Sequence, residues 1–449
     1  MIERQKIKDL YNHEIDRYVS KNPMSWKAFK SAEQALLGGV PMNWMTKWPG
    51  GFPIFLKSAI GAHVEDLDGN NYIDFCLGDT GAMAGHSSPE IGEAIRKQAL
   101  IGISAMLPTL DSVVVANELA KRFGLPIWQF TVSATDANRH AIRYSRLVTG
   151  KRKIIVIDQC YHGSVDETFA TLDASGNTIM REGNVGAPVD LDSTTRVVEF
   201  NDLVSMQSAL KHNDVAAIIM EPAMTNVGIV LPESGYLQSV AELARKNSVI
   251  WIVDETHTIS VGPGGMTAEL GLRPDMLTIG KSVGGGIPTG TFGMTHEIAS
   301  KITKKTKRAV IDIGGVGGTL AGNALSLAAM RVTLMNVLTD ENFAKMISLG
   351  NRWCNGVERV IKELNLPWHV QRLGARGEYS FQEFSPRTGR EAAAALDFDL
   401  DQYIHLRLLN DGFLLTPFHN MALMSPYTSE EDVDAHTISF RAMCKDLVT

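Results

Sequence analysis

The sequence predicts an α/β fold: a mostly parallel sheet flanked by helices in a large domain, with a smaller α+β domain assembled from the N- and C-terminal segments. Three observations predict it. Short apolar runs recur at residues 153–158 (KIIVID), 216–220 (AAIIM), 249–253 (VIWIV) and 276–279 (MLTI), each of strand length. Helical stretches such as residues 237–246 separate them, the alternation that builds parallel sheets. The chain of 449 residues is long enough for a well-buried core and more than one lobe.

Taken in order, the opening residues to about Leu37 are charged and helical in period, and a Gly/Pro-rich passage follows from Gly38 to Gly51. Residues 62–75 then read as a short hairpin turning at Asp68-Gly69-Asn70-Asn71. From about Asp111 helices alternate with apolar runs. After about Val332 a long helical stretch leads to a mixed tail with strands near 379–384 and 413–416. The expected division is 1–60, 61–332 and 333–449, the first and last segments forming the smaller domain.

Composition narrows the function classes. A hydrophobic fraction of 44% and a charged fraction of 21% are those of an ordinary globular protein. A net charge of −7 argues against nucleic acid as the main partner. The one basic run, residues 301–308 (KITKKTKR), suits a solvated helix end or loop. The four cysteines, Cys76, Cys160, Cys354 and Cys444, form no C-x-x-C pair, so no zinc knuckle is written in the sequence and a reducing compartment is expected. No segment approaches about 18 consecutive apolar residues and the first residues lack an apolar signal core. The expectation is a cytoplasmic protein with no membrane span.

Two strand ends carry the chemistry. The run at 249–253 ends in Asp254-Glu255, and the run at 276–279 delivers Gly280-Lys281 into the loop Ser282-Val283-Gly284-Gly285-Gly286. Ligands of such sheets bind at the carboxyl ends of the strands. A carboxylate and an amine placed there suit an aldehyde cofactor held by its ring nitrogen and its carbonyl carbon, which is the chemistry of pyridoxal 5'-phosphate. Asp254 could instead be an acidic strand end and Lys281 a solvated one. The glycines around Lys281 favour close approach, and each residue supports the other.

A phosphate requires N–H donors at a helix start. Residues 131–137 (TVSATDA), with Ser133, Ala134 and Thr135, precede a helical run at 138–147 and suit either an N-cap or an anion cradle. Tyr161, in Tyr161-His162-Gly163, is placed to stack on a ring or to fill core. Gly317-Gly318-Thr319 is read as opening another helix, with Thr319 a second phosphate candidate.

Taken together, these segments resemble the class III (ω-amino acid) aminotransferases of pyridoxal-phosphate fold type I, nearest the glutamate-1-semialdehyde aminomutase and β-amino acid aminotransferase branch. The resemblance spans nearly the whole chain. It includes Asp66-Leu67-Asp68-Gly69-Asn70, Gly85-His86-Ser87-Ser88-Pro89, Tyr161-His162-Gly163, Glu221-Pro222, Asp254-Glu255, Gly280-Lys281 and Gly318-Thr319-Leu320-Ala321-Gly322-Asn323. It implies that Lys281 forms the Schiff base, Asp254 pairs with the ring nitrogen, Tyr161 stacks on the ring and Asn226 lies near its hydroxyl side. Ala134 and Thr135 would meet the phosphate through backbone and hydroxyl. Thr319 would reach the phosphate of a neighbouring subunit, implying a homodimer with shared sites.

The departures concern mainly the substrate side. The family's Ser-Gly-Thr-Glu-Ala turn is Ser133-Ala134-Thr135-Asp136-Ala137 here, and Thr256 replaces the usual valine beneath the ring. The arginine of the aminomutase branch aligns with Met45, its aromatic near the cofactor with Asp79 or Thr80, and its late acid with Asn420. Trp44, Asp79 and Arg376 are the substrate candidates, Arg372 being the other available arginine; Asp79 would favour a cationic group.

The leading expectation is a transaminase moving an amino group between an amine or amino acid and a 2-oxo acid or aldehyde. A 2,1-aminomutase is the alternative, followed by a racemase, epimerase or decarboxylase of the same fold. A cofactor-fold protein acting only as a binding module would be expected to lose the lysine, and Lys281 is present.

Overall fold

The computed structural model describes residues 3–183, 185–186, 189–306 and 315–448. Lys307 and Arg308 of the basic run lie outside the described residues; its first part closes the helix His296–Thr306.

The chain divides into two compact units, one of residues 1–88, 344–385 and 395–449, the other of residues 89–343 and 386–394. Through the first 300 residues the strands are β1 (Leu56–Ile60), β2 (His63–Asp66), β3 (Asn71–Asp74), β4 (Ile127–Thr131), β5 (Lys153–Ile157), β6 (Ala170–Leu172), β7 (Thr178–Met180), β8 (Thr195–Val198), β9 (Val215–Met220), β10 (Ile250–Asp254), β11 (Met276–Gly280) and β12 (Gly290–Met294). The C-terminal part adds β13 (His369–Leu373), β14 (Arg376–Ser380), β15 (Phe413–Leu414) and β16 (Met421–Leu423). The first helices are α1 (Arg4–Lys21), α2 (Pro23–Ala32), α3 (Pro89–Ala99), α4 (Leu110–Phe123) and α5 (Ala134–Thr149).

The larger unit is built on a seven-stranded sheet in the order β4-β12-β11-β10-β9-β5-β8. Strands β11, β10, β9, β5 and β8 run parallel. Strand β12 runs antiparallel to its neighbours β11 and β4. Every residue of β9, β10 and β11 is buried, which is why these strands read as unbroken apolar runs rather than alternating ones. Full burial of each Ile, Val or Leu here contributes about 1.5–3 kcal/mol.

Strand β12 (GTFGM) was not legible in the sequence because its two glycines weaken the strand pattern. Their reason is close packing. A Cβ on Gly290 would stand 2.3 Å from the Ser133 carbonyl oxygen, and one on Gly293 would stand 2.7 Å from the Trp128 ring. The stretch around Thr319 corrects another expectation. Gly317 and Gly318 are irregular and Thr319 lies in a turn, and the next helix, Ala324–Val332, starts only after Asn323, whose side chain accepts the Ser326 N–H as its cap.

In the other unit, β1, β2 and β3 form an antiparallel meander, and β15 adds to β3 in parallel. That pairing of Phe413 with Ile73 carries the unit's first segment to Ser88, beyond the boundary near residue 60 that the sequence suggests. Helices α1 and α2 break at Asn22-Pro23, since proline cannot supply a helical N–H. Helix α1 docks on the helix Phe398–Asn410, where Asn410 Nδ2 donates to Glu14 Oε2 at 2.7 Å and Arg17 pairs with Asp411 at 2.9 Å. A second, three-stranded sheet has the order β13-β14-β16. Its middle strand begins at Arg376, several residues ahead of the 379–384 expectation.

Candidate active site

Asp254 is the last residue of β10 and is 3% exposed. Three donors meet it: Asn138 Nδ2 and His162 Nδ1, each 2.9 Å from Oδ2, and the Thr256 N–H, 3.1 Å from Oδ1. Asn138 lies on α5, and its own Oδ1 accepts the Thr278 hydroxyl of β11 at 2.6 Å. Burial pushes the Asp254 carboxyl up, but the hydrogen bond and charge of His162, with Thr256 and Asn138, hold it well below the usual carboxylate range. Burial likewise opposes the His162 cation, and Cys160 and Asp254 outweigh it, so its pKa stands well above the ordinary histidine value. The result is a buried carboxylate that stays ionised.

The neighbouring carboxyls are differently placed. Glu221 is pushed up to about 7 by burial, against the hydrogen bond from Thr225 Oγ1 at 2.5 Å. Glu255 faces away into the turn 258–267, where it accepts from the Thr258 hydroxyl and the Met266 and Thr267 N–H groups.

Lys281 follows β11 directly, and β11 pairs with β10 so that Thr278 stands beside Asp254. Both residues therefore stand at the carboxyl ends of neighbouring strands. The Lys281 backbone is left-handed, with φ 50°, an uncommon state for a residue with a side chain and one that clusters at functional sites. Its Nζ lies 2.9 Å from His257 Nε2.

Gly280 allows the close approach of another backbone. A Cβ there would stand 2.9 Å from both the backbone nitrogen and the Cβ of Ala134. The glycine lets the lysine strand end press against the first residue of α5. Gly280→Ala is expected to separate the two, costing about 1–3 kcal/mol of stability and about tenfold in pyridoxal phosphate affinity. Urea denaturation and cofactor titration check it.

At the start of α5, Ser133 is an N-cap that accepts the Asp136 N–H at 3.2 Å. The two readings of this turn are thus compatible: Ser133 caps, while the N–H groups of the first turn keep the positive end of the helix available to an anion. The Thr135 hydroxyl accepts the Ser164 N–H at 3.1 Å, tying the helix start to the loop after Tyr161. Tyr161 is 42% exposed, its ring edge-on to Phe169 with centroids 6.0 Å apart. Asn226 donates to the Gln159 carbonyl at 2.9 Å. Thr256 is buried, and its hydroxyl has no hydrogen-bond partner among the described residues. Thr319 is exposed.

These residues fit pyridoxal phosphate. A buried carboxylate held ionised suits a protonated ring nitrogen, an amine stands one strand away, the helix start suits a phosphate, and an uncovered aromatic ring and an unpartnered hydroxyl remain. Among the described residues no group of histidine, cysteine or acidic side chains is arranged to hold a metal ion.

The substrate candidates belong to the other unit. Trp44 is 42% exposed and stands edge-on to Phe418. Leu77, Gly78, Asp79 and Thr80 are four successive left-handed residues, and φ 81° is strained for a β-branched threonine. Arg376, only 1% exposed, donates to the Thr80 hydroxyl, so this arginine braces the strained turn. Arg372 pairs with Glu358 at 2.7 Å. Asn420 donates to Asp401 at 2.7 Å, and burial pushes the Asp401 carboxyl up to about 7. A carboxyl thus remains within reach of the position where the aminomutase branch has its own acid.

The Aminotransferase class-III family model matches residues 45–442. This chain belongs to that family. Its members use pyridoxal phosphate, and the family name brings the fold type I architecture with it. A glutamate-1-semialdehyde 2,1-aminomutase of Methanosphaera stadtmanae is 32% identical over 416 residues, 91% of this chain and 95% of that protein. The solved structure of a glutamate-1-semialdehyde aminomutase from Pseudomonas aeruginosa PAO1 is 45% identical, covers 99% of both chains and superposes with a TM-score of 0.98. A lysine-to-alanine variant of that enzyme was solved in complex with PMP, the aminated cofactor. A β-phenylalanine aminotransferase from Variovorax paradoxus, at 24% identity, 98% and 97% coverage and a TM-score of 0.87, shares the fold.

Four side chains of this class III site escaped the sequence reading: Asn138, His162, His257 and Thr278. His162 and His257 each stand beside a residue that was singled out, Tyr161 and Thr256, so the signal was proximity in sequence. Asn138 and Thr278 gave none, because only the fold brings them to Asp254.

Proposed function

We propose that this class III enzyme shifts an amino group between neighbouring carbons of one small molecule, a 2,1-aminomutase reaction. The observation that carries the amino-transfer chemistry is the ionised Asp254 on the strand beside Lys281. The intramolecular outcome is supported by relatives named glutamate-1-semialdehyde 2,1-aminomutase, which favour it over the transaminase expectation.

When bound, the cofactor serves as an electron sink for a carbanion at the substrate carbon. Lys281 would hold it through Nζ and, once released by the substrate amine, would be the base and acid that takes a proton from the substrate carbon and returns it. Asp254 keeps the ring nitrogen protonated, and His162 and Asn138 keep Asp254 ionised. Tyr161 covers a ring face, Asn226 and Thr256 border the ring, and Ser133, Ala134 and Thr135 form the phosphate turn. Thr319 reaches the phosphate of a second copy, in a homodimer working in the cytoplasm.

Transamination with release of an oxo product is the second reading. It is favoured by Met45 and Asn420, which stand where the resemblance places the aminomutase branch's arginine and acid. A panel of amino aldehydes and amino acids separates the two by mass spectrometry of the products. Isomerisation without release supports the shift; stoichiometric release of an oxo product rejects it. Lys281→Ala is expected to abolish the borohydride-reducible absorbance of the purified enzyme and to cut turnover by more than about a hundredfold.

A further inference from the structure

Lys281 meets a side chain that lies outside the sequence motifs. His257 follows Thr256 and stands at the N-cap position of the 3-10 turn Thr258–Val261, with no side-chain capping bond. Its backbone is fixed from both sides. The Thr256 N–H is bound to Asp254 Oδ1, and the carboxylate of Glu255 grips Thr258, Met266 and Thr267. The turn therefore presents the imidazole at a set place, with Nε2 at 2.9 Å from Lys281 Nζ.

That distance has a chemical consequence. An ordinary lysine amine is protonated at neutral pH and has no lone pair with which to attack a carbonyl carbon. A neutral imidazole has one nitrogen able to accept a hydrogen bond. A lysine ammonium donating to Nε2 requires that this nitrogen be the unprotonated one.

We propose that His257 is the positioning and proton-accepting partner of Lys281, taking the ammonium proton onto Nε2 so that the Nζ lone pair is free to bond to a carbonyl carbon. One N–H bond of the ammonium breaks, one N–H bond forms on the imidazole, and the positive charge passes from lysine to histidine; as Nζ bonds to the carbonyl carbon, the carbonyl C–O bonds break and the oxygen leaves as water with the two protons remaining on Nζ. When the amine is next displaced, the proton returns. Asp254 and Glu255 flank the turn as ionisable groups, and each is engaged elsewhere, with His162 and Asn138 or with residues 258–267. The inference rests on Lys281 being the imine-forming lysine and adds how that lysine is made reactive.

The test uses the full-length chain freed of cofactor, with an acylating reagent as probe and peptide mass spectrometry of Lys281 as readout. His257→Gln keeps a polar side chain but cannot take a proton. At pH 7 the variant's Lys281 is expected to be acylated at least about tenfold more slowly than the wild type. At strongly alkaline pH the two rates should converge, because hydroxide then takes the proton in place of the imidazole. Equal rates at pH 7, or the same deficit at both pH values, would overturn the proposal. Should the Gln variant fail to fold, His257→Met is read the same way. Borohydride fixation of pyridoxal phosphate on the wild type is run alongside. If Lys281 is not the fixed residue, the functional reading fails, whereas a pH-independent His257 effect with fixation intact fails only this inference.

Discussion

Replacing Asp254 with asparagine is expected to lower turnover and cofactor retention by about a hundred- to a thousandfold while leaving the fold recognisable. The amide is the same size, but only one of its two terminal atoms can accept. Asp254 Oδ2 receives both Asn138 and His162, and Oδ1 receives the Thr256 N–H. Either orientation of the amide sets a donor against a donor, and the His162 cation loses its counter-charge. Breaking a buried ion pair from one side costs about 3–5 kcal/mol. Turnover under saturating pyridoxal phosphate and the fraction of cofactor-free enzyme after dialysis check it.

The pH dependence follows with a definite sign. The Asp254 carboxyl is depressed in the folded state, so its contribution is complete above the ordinary aspartate range and lost as pH falls through the folded value. The His162 shift is upward, so its contribution is complete below the ordinary histidine range and lost as pH rises through the folded value. The stability gap between wild type and the asparagine variant should therefore be widest between those limits and close towards strong acid. Urea unfolding at a series of pH values measures it.

Glu255→Ala carries the second large effect, on stability. The side chain is fully buried and accepts from the Thr258 hydroxyl and the Met266 and Thr267 N–H groups. Gly265 lies so close that a Cβ there would stand 2.3 Å from Glu255 Oε2. Truncation leaves three buried donors without an acceptor at about 1–3 kcal/mol each. Burial raises the Glu255 carboxyl, and relief of that penalty returns part of the loss. A net loss of about 3–5 kcal/mol is expected, read as a lower urea midpoint, with Glu255→Gln recovering part of it.

Much of the larger unit was legible because its central strands are buried on both faces and announce themselves as apolar runs. The same physics hid its edges. Strand β4 ends the sheet order, and β12 carries glycines whose purpose is visible only once Ser133 and Trp128 are beside them. Asp254 and Lys281 could be found because each ends an apolar run. Gly280 was noticed for close approach, and the fold names the backbone that approaches it, that of Ala134. Arg376 was seen only as a cation, and nothing in Arg372-Leu373-Gly374-Ala375-Arg376 reveals that one arginine turns inward to Thr80 while the other pairs at the surface.

The Thr278 hydroxyl has an influence larger than its size. By donating to Asn138 Oδ1 it settles which end of that amide is oxygen and which is nitrogen, and so which end faces Asp254. A carboxamide is nearly symmetric in shape, and packing alone would allow it to be reversed. One small alcohol on the adjoining strand thus acts as a compass needle for the whole polar cluster, setting its polarity before any ligand arrives.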